Sequence, residues 1–202
     1  MVLFVGALSA TLVVVGVVNL LRDKPIVPFL ASDLCTAEVD GHTVTLDLEQ
    51  AEHAGLITAI GVSRGLPARA ASIALATAYQ ESDLRNLDSG DRDSLGLFQQ
   101  RPSQGWGTEE QVQDPVYATN AFYDALVKVD GYESMEITVA AQAVQRSAFP
   151  GAYADHERDA RALASALTGN SRAAFTCRLG GEPDASDSHL VNTGLTLSLI
   201  HI

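Results

Sequence analysis

Glu81 closes a run of small, mostly apolar residues, Ala70, Ile73, Ala74, Thr77 and Ala78, spaced as one face of a helix. A carboxyl group on that face enters a low-dielectric setting that disfavours its charged form. Its place on the last turn adds the negative end of the helix dipole. Both effects raise a carboxyl pKa, as a general acid working near neutral pH requires. A glutamate on a last turn can equally swing into solvent, so the face alone leaves its role open. The polar stretch that follows, "SDLRNLDSGDRDSLGLFQQRPSQGWG", has no helical period, is punctuated by glycines and carries Asp88, Asp91 and Asp93. One of these could serve as a second carboxylate beside an acid; carboxylates in such loops are more often solvated turn residues. "DSGDRDS" lacks the ligand order, central glycine and distal glutamate of an EF-hand. His42, His53, His156, His189 and His201 show no metal-ligand spacing, and the chain has neither a nucleophile triad motif nor a phosphate loop. No metal and no cofactor is expected.

Helices must position these groups. Asp47 is placed to cap a helix through "LEQAEHAGLITAIGVSR" that Gly65 ends, with Ala51, Ala54, Ile57 and Gly61 on its buried side. Pro67 precedes "ARAASIALATAYQES", where Leu75 and Tyr79 make the side opposite the Glu81 stripe apolar too; this predicts the central, buried helix. Thr77 can return its hydroxyl to a carbonyl one turn back. Thr108 with Gln111 reads as a capping box for a short helix. Asp114-Pro115 starts another, with Ala118, Ala121, Phe122, Ala125 and Leu126 as its stripe and Gly131 as its stop. Thr138 opens a helix over "VAAQAVQRS", and Pro150 introduces a last one that Gly169 closes. Ahead of the helices, two β-prone runs around Asp40-Gly41 predict a hairpin.

"QES" at a helix end, followed after a short loop by "SLGLFQ", resembles the bacterial lysozyme-like superfamily that includes lytic transglycosylases and goose-type lysozymes. The resemblance covers roughly residues 65–168 and implies a mainly α, lysozyme-like helical domain with a small β-hairpin. It implies that Glu81 is the catalytic acid and base, with Ser82 its helix-end neighbour. Gly96, Leu97, Phe98 and Gln99 become part of the sugar cleft, and Ser94 a contact of the acid. The family's third motif, an aromatic followed by asparagine, is met by Val144 and Gln145 in "AVQRSA", so the aromatic platform is missing while Gln145 can still bond an N-acetyl sugar. Tyr153 matches the tyrosine that the family brings to the acid. Trp106 either stacks on a sugar ring or serves as a core tryptophan. The activity implied is cleavage of peptidoglycan glycan strands between N-acetylmuramic acid and N-acetylglucosamine by one glutamate, as a lytic transglycosylase or a lysozyme. The alternative is an inactive lysozyme-like domain that binds wall glycan or a partner protein.

The rest of the chain bears on location. Residues 2–21 carry no charge, enough helix to cross a bilayer core of roughly 30 Å, and no A-x-A cleavage site follows. A single N-terminal transmembrane helix or signal anchor over 1–24 is therefore expected, although its basic residues, Arg22 and Lys24, follow it. A linker and hairpin over 25–46, a lysozyme-like domain over 47–180 and a linker with a non-native tail over 181–202 complete the division. The tail ends in "LSLIHI", similar to the translation of a transposase end sequence. Thirteen basic against twenty-five acidic residues leave a net charge of -12 with no basic cluster, which argues against nucleic acid as a partner. Cys35 and Cys177 flank the domain and are expected to form a disulfide joining its ends, the other reading being two buried thiols. Anchor and cysteine pair together point to a membrane-held domain outside the cytoplasm.

Overall fold

Backbone hydrogen bonding and apolar burial are both satisfied here by helices around one central helix, with a small sheet against one side. The computed structural model describes residues 33–179 apart from 148 and 150. The expected anchor over 1–24 and the tail over 181–202 lie outside the described residues. Among the described residues no helix is long and apolar enough to cross a membrane.

The hairpin forms as the turn residues dictate. Strands β1 (Leu34–Val39) and β2 (His42–Leu46) pair antiparallel from Val39↔His42 to Cys35↔Leu46. Asp40 and Gly41 between them both have positive φ, 51° and 72°, the two-residue turn that suits a twisted hairpin. Alternation puts Cys35, Ala37, Val44 and Leu46 in the core. A third strand, β3 (Phe175–Arg178), pairs antiparallel along the other edge of β1, so the sheet has three strands in the order β2-β1-β3 where the sequence suggested two. Four residues with no alternating burial carry little strand signal of their own. Cys177 falls directly opposite Cys35, and the two form the expected disulfide.

Helix α1 (Leu48–Ser63) starts in a reciprocal cap: the Gln50 amide N–H donates to Asp47 Oδ1 at 3.0 Å, and the Asp47 N–H donates to Gln50 Oε1 at 3.2 Å. Helix α2 (Ala68–Ser82) follows after Pro67 and is buried without a break from Ala70 to Ala78. It is the central helix that its composition predicts, packed on α1, α4, α5 and above all α6. Thr77 donates its hydroxyl to the Ile73 carbonyl at 2.8 Å, which lets it lie in that apolar setting. The short α3 (Glu109–Gln113) has the Thr108–Gln111 capping box, and α4 (Pro115–Leu126) begins at Asp114-Pro115. The α4 helix stops at Leu126; Gly131 lies beyond a run of turns. Helix α5 (Ile137–Gln145) starts one residue before Thr138, with Glu136 at its cap. The last segment is a 3-10 turn, Ala152–His156, running into α6 (Glu157–Leu167), and α6 packs across β1 and β2. Sheet and helices thus share one compact unit, Asp33–Arg178.

The disulfide closes a loop of 142 residues. On the chain-entropy account such closure restricts the unfolded ensemble by about 4 to 5 kcal/mol. Replacing Cys35 and Cys177 together by alanine is expected to lower the urea midpoint by a comparable stability loss. A reducing agent should lower the wild-type midpoint and leave the double variant unchanged.

Candidate active site

The last turn of α2 is held by its neighbours rather than fraying. Asp83 and Leu84 after it both adopt left-handed backbone, φ 55° and 59°, which L-residues hold only when their surroundings impose it. Two polar residues of α1 impose it. Gln50 Nε2 donates to the Asp83 carbonyl and to Asp83 Oδ2, both at 3.0 Å, and His53 Nδ1 donates to the Leu84 carbonyl at 2.7 Å. Leu84 is itself fully buried. Gln50 and His53 went unnoticed as sequence signals because they lie thirty residues away and look like ordinary helix residues.

The loop carrying "SLGLFQ" is fastened to that helix end. Leu95 and Gln100 exchange backbone hydrogen bonds, closing a four-residue turn from Gly96 to Gln99. Gly96 has φ 75°, and a Cβ there would meet the Val112 carbonyl at 2.3 Å, so glycine is required twice over. Ser82 donates its hydroxyl to the Leu97 carbonyl at 2.8 Å, and Gln145 Nε2 on α5 donates to the Phe98 carbonyl at 2.8 Å. The Leu97 and Phe98 side chains are fully buried, and Phe98 stacks on Phe122 with ring centroids 4.7 Å apart. Neither residue lines the Glu81 cleft, where the sequence placed them; of this turn only Gln99 does, and Leu97 and Phe98 anchor it in the core.

Glu81 lies half-buried at the mouth of this assembly, in a cleft of about 510 Å³ lined also by Asp91, Ser94, Gln99, Trp106 and Gln145. Burial pushes its carboxyl pKa up; hydrogen bonds from Tyr153 and Gln145 oppose the shift without cancelling it. The Tyr153 hydroxyl donates to Glu81 Oε1 at 2.7 Å, and its ring is fully buried in the 3-10 turn before α6. Burial raises the Tyr153 pKa strongly, so the hydroxyl stays a donor throughout the working pH range. Ser94 is buried in the cleft wall, but no hydrogen bond joins its hydroxyl to Glu81 among the described residues. Trp106 is half-buried, packed against the core and lining the cleft.

The aspartates divide. Asp93 accepts from the Ser103 N–H at 2.8 Å and from Arg101 Nε at 2.7 Å, and these contacts, the Ser103 ones first, hold its carboxyl well below the usual range. Asp88 is exposed beside Ser89, and only Asp91 of the three lines the cleft. Val144 is buried under α5 and offers the cleft no aromatic face, but Phe149, four residues beyond Gln145, stands 75% exposed on the cleft lip. No metal-binding group of three or more His, Cys, Asp or Glu occurs among the described residues.

No protein-family model and no curated protein matches this chain.

Two variants test the electrostatics. A carboxyl whose folded pKa lies above its ordinary value, 4.5, takes up a proton on folding, so its contribution to stability falls as pH rises through that interval. Glu81→Gln should therefore be more stable than wild type at pH 7, and the gain should fade below about pH 4. Tyr153→Phe removes a donor that favours the charged form. Carbon-13 NMR titration should find Glu81 raised in the wild type and raised further in this variant.

Proposed function

We propose that this chain cleaves the glycan strand of peptidoglycan between N-acetylmuramic acid and N-acetylglucosamine, with Glu81 as the single acid and base and a fold of the lysozyme-like kind. The observation that carries the reading is the half-buried Glu81 carboxyl, raised in pKa and bonded to Tyr153 at 2.7 Å, in an open cleft that Gln99 of the "GLFQ" turn also lines. Protonated Glu81 gives its proton to the glycosidic oxygen as the bond to the anomeric carbon breaks. Tyr153, donating to the other state of the same group, stabilises the carboxylate that remains. That carboxylate then takes a proton from the attacking nucleophile and returns to its acid form. We assign the nucleophile as the sugar's own 6-hydroxyl, leaving a 1,6-anhydro end, because Asp93 is tied to Arg101 and Ser103 and does not line the cleft, which leaves Asp91 as the one other acid there. Asp91, the other acid lining the cleft, favours a second reading in which it activates water and the product has a reducing end.

The disulfide supports a domain working in an oxidising, extracytoplasmic setting, and the uncharged stretch over 2–21 supports a membrane anchor. The loss of the third-motif aromatic at Val144 is the observation that favours a binding domain without catalysis. Phe149 on the cleft lip weighs against it by offering an aromatic surface from a different position.

Mass spectrometry of fragments released from purified peptidoglycan, beside a Glu81→Gln control, tests the activity. Anhydro-ended fragments absent from the control are expected. Reducing-ended fragments would move the assignment to a lysozyme and to Asp91. A folded wild-type protein that releases nothing above the control would leave only glycan binding.

A further inference from the structure

Beyond the Glu81 cleft lies a second cavity of about 680 Å³, lined by Ala125, Lys128 and Val129 from the end of α4 and by Ala143 and Val144 from α5. The two cavities share Gln104, Trp106, Gln145 and Arg146, so they are compartments of one groove with Trp106 between them. Their electrostatics differ from the rest of the chain. The net charge is -12, yet the second compartment has Lys128 and Arg146 and no acidic residue in its lining.

Five arginines among the described residues pair with carboxylates: Arg64 with Asp124, Arg85 with Asp47 and Glu49, Arg92 with Asp91, Arg101 with Asp93, and Arg161 with Glu157. Lys128 and Arg146 are exposed and have no acidic partner within ion-pair distance among the described residues. A concave, partly apolar wall beside two such cations concentrates their field on whatever enters.

We infer that this compartment binds carboxylate groups carried on the substituents of the glycan, with Lys128 and Arg146 as the cations that hold them while a neighbouring sugar ring lies against Trp106. The inference rests on the glycan reading and adds to it a preference for strands with free acidic side groups. A neutral polymer of N-acetyl sugars would fill the Glu81 compartment and leave Lys128 without a partner.

Both cations also follow helix C-termini, where positive charge is favoured for structural reasons, so the test separates binding from stability. Affinity is measured on the full chain in a Glu81→Gln background, which binds without turnover. The probes are peptidoglycan fragments with free stem-peptide carboxylates and the same fragments after carbodiimide coupling converts those groups to amides. The parent should bind the acidic fragments about tenfold more tightly, with an advantage that shrinks as salt is raised. Adding Lys128→Ala and Arg146→Ala should remove that advantage with the fold retained by circular dichroism; Lys128→Ala alone, outside the Glu81 compartment, should reduce it and leave affinity for the amidated fragments unchanged. Equal affinity of the parent for both probes, while the wild type still cleaves peptidoglycan, would overturn the compartment and spare the glycan reading. A double variant that weakens both probes equally would overturn it as well. Binding of neither probe, with no cleavage by the wild type, would overturn both.

Discussion

Taking a carboxyl group partly out of water costs free energy, and the structure around Glu81 follows from meeting that cost with one hydrogen bond and a fixed backbone. Desolvation dominates the group's electrostatics, and the Tyr153 hydroxyl supplies the principal opposing interaction. Tyr153 can do so only because the 3-10 turn before α6 buries its ring against α2. The tight packing of α2 and α6 is thus a condition on the chemistry, since a shift of one against the other would separate a donor and acceptor 2.7 Å apart.

A second condition is the backbone around the acid. The left-handed pair Asp83-Leu84 ends α2 abruptly, and Gln50 and His53 hold it in place from α1. Ser82 and Gln145 then tie the "GLFQ" turn to α2 and α5 through the carbonyls of Leu97 and Phe98. Side-chain donors satisfying backbone acceptors is how an irregular loop can lie against a core without leaving polar groups unpaired. The result is a loop beside the cleft that is anchored in the core, with Phe98 stacked on Phe122. The disulfide fastens the two ends of the unit across β1 and β3.

Much of this organisation was legible beforehand. The capping signals at Asp47, Thr108 and Asp114 are local chemistry, and the helices start where they indicate. The all-round apolar character of 70–78 identified the central helix for the same reason: no arrangement leaves such a helix exposed. The Asp40-Gly41 turn and the cysteine pairing were likewise readable. The third strand was not, because four residues become a strand by finding an open edge on β1, and that edge is absent from their own sequence. Leu97 and Phe98 were expected in the cleft and lie in the core, since a motif marks a loop's position without saying which of its atoms face the ligand.

By itself, then, the sequence determined the helical architecture, the hairpin, the disulfide partners and the presence of an acid at the end of a buried helix. These depend on periodicity, turn chemistry and capping, which act within a few residues. Only the tertiary structure decided that Tyr153 meets Glu81, that Asp93 is consumed by Arg101 and Ser103, and that Gln50 and His53 hold the turn behind the acid. It also decided that Trp106 lines two adjoining cavities. Those are contacts between residues from 8 to 72 positions apart, and their distances are set by how whole helices and loops pack against one another.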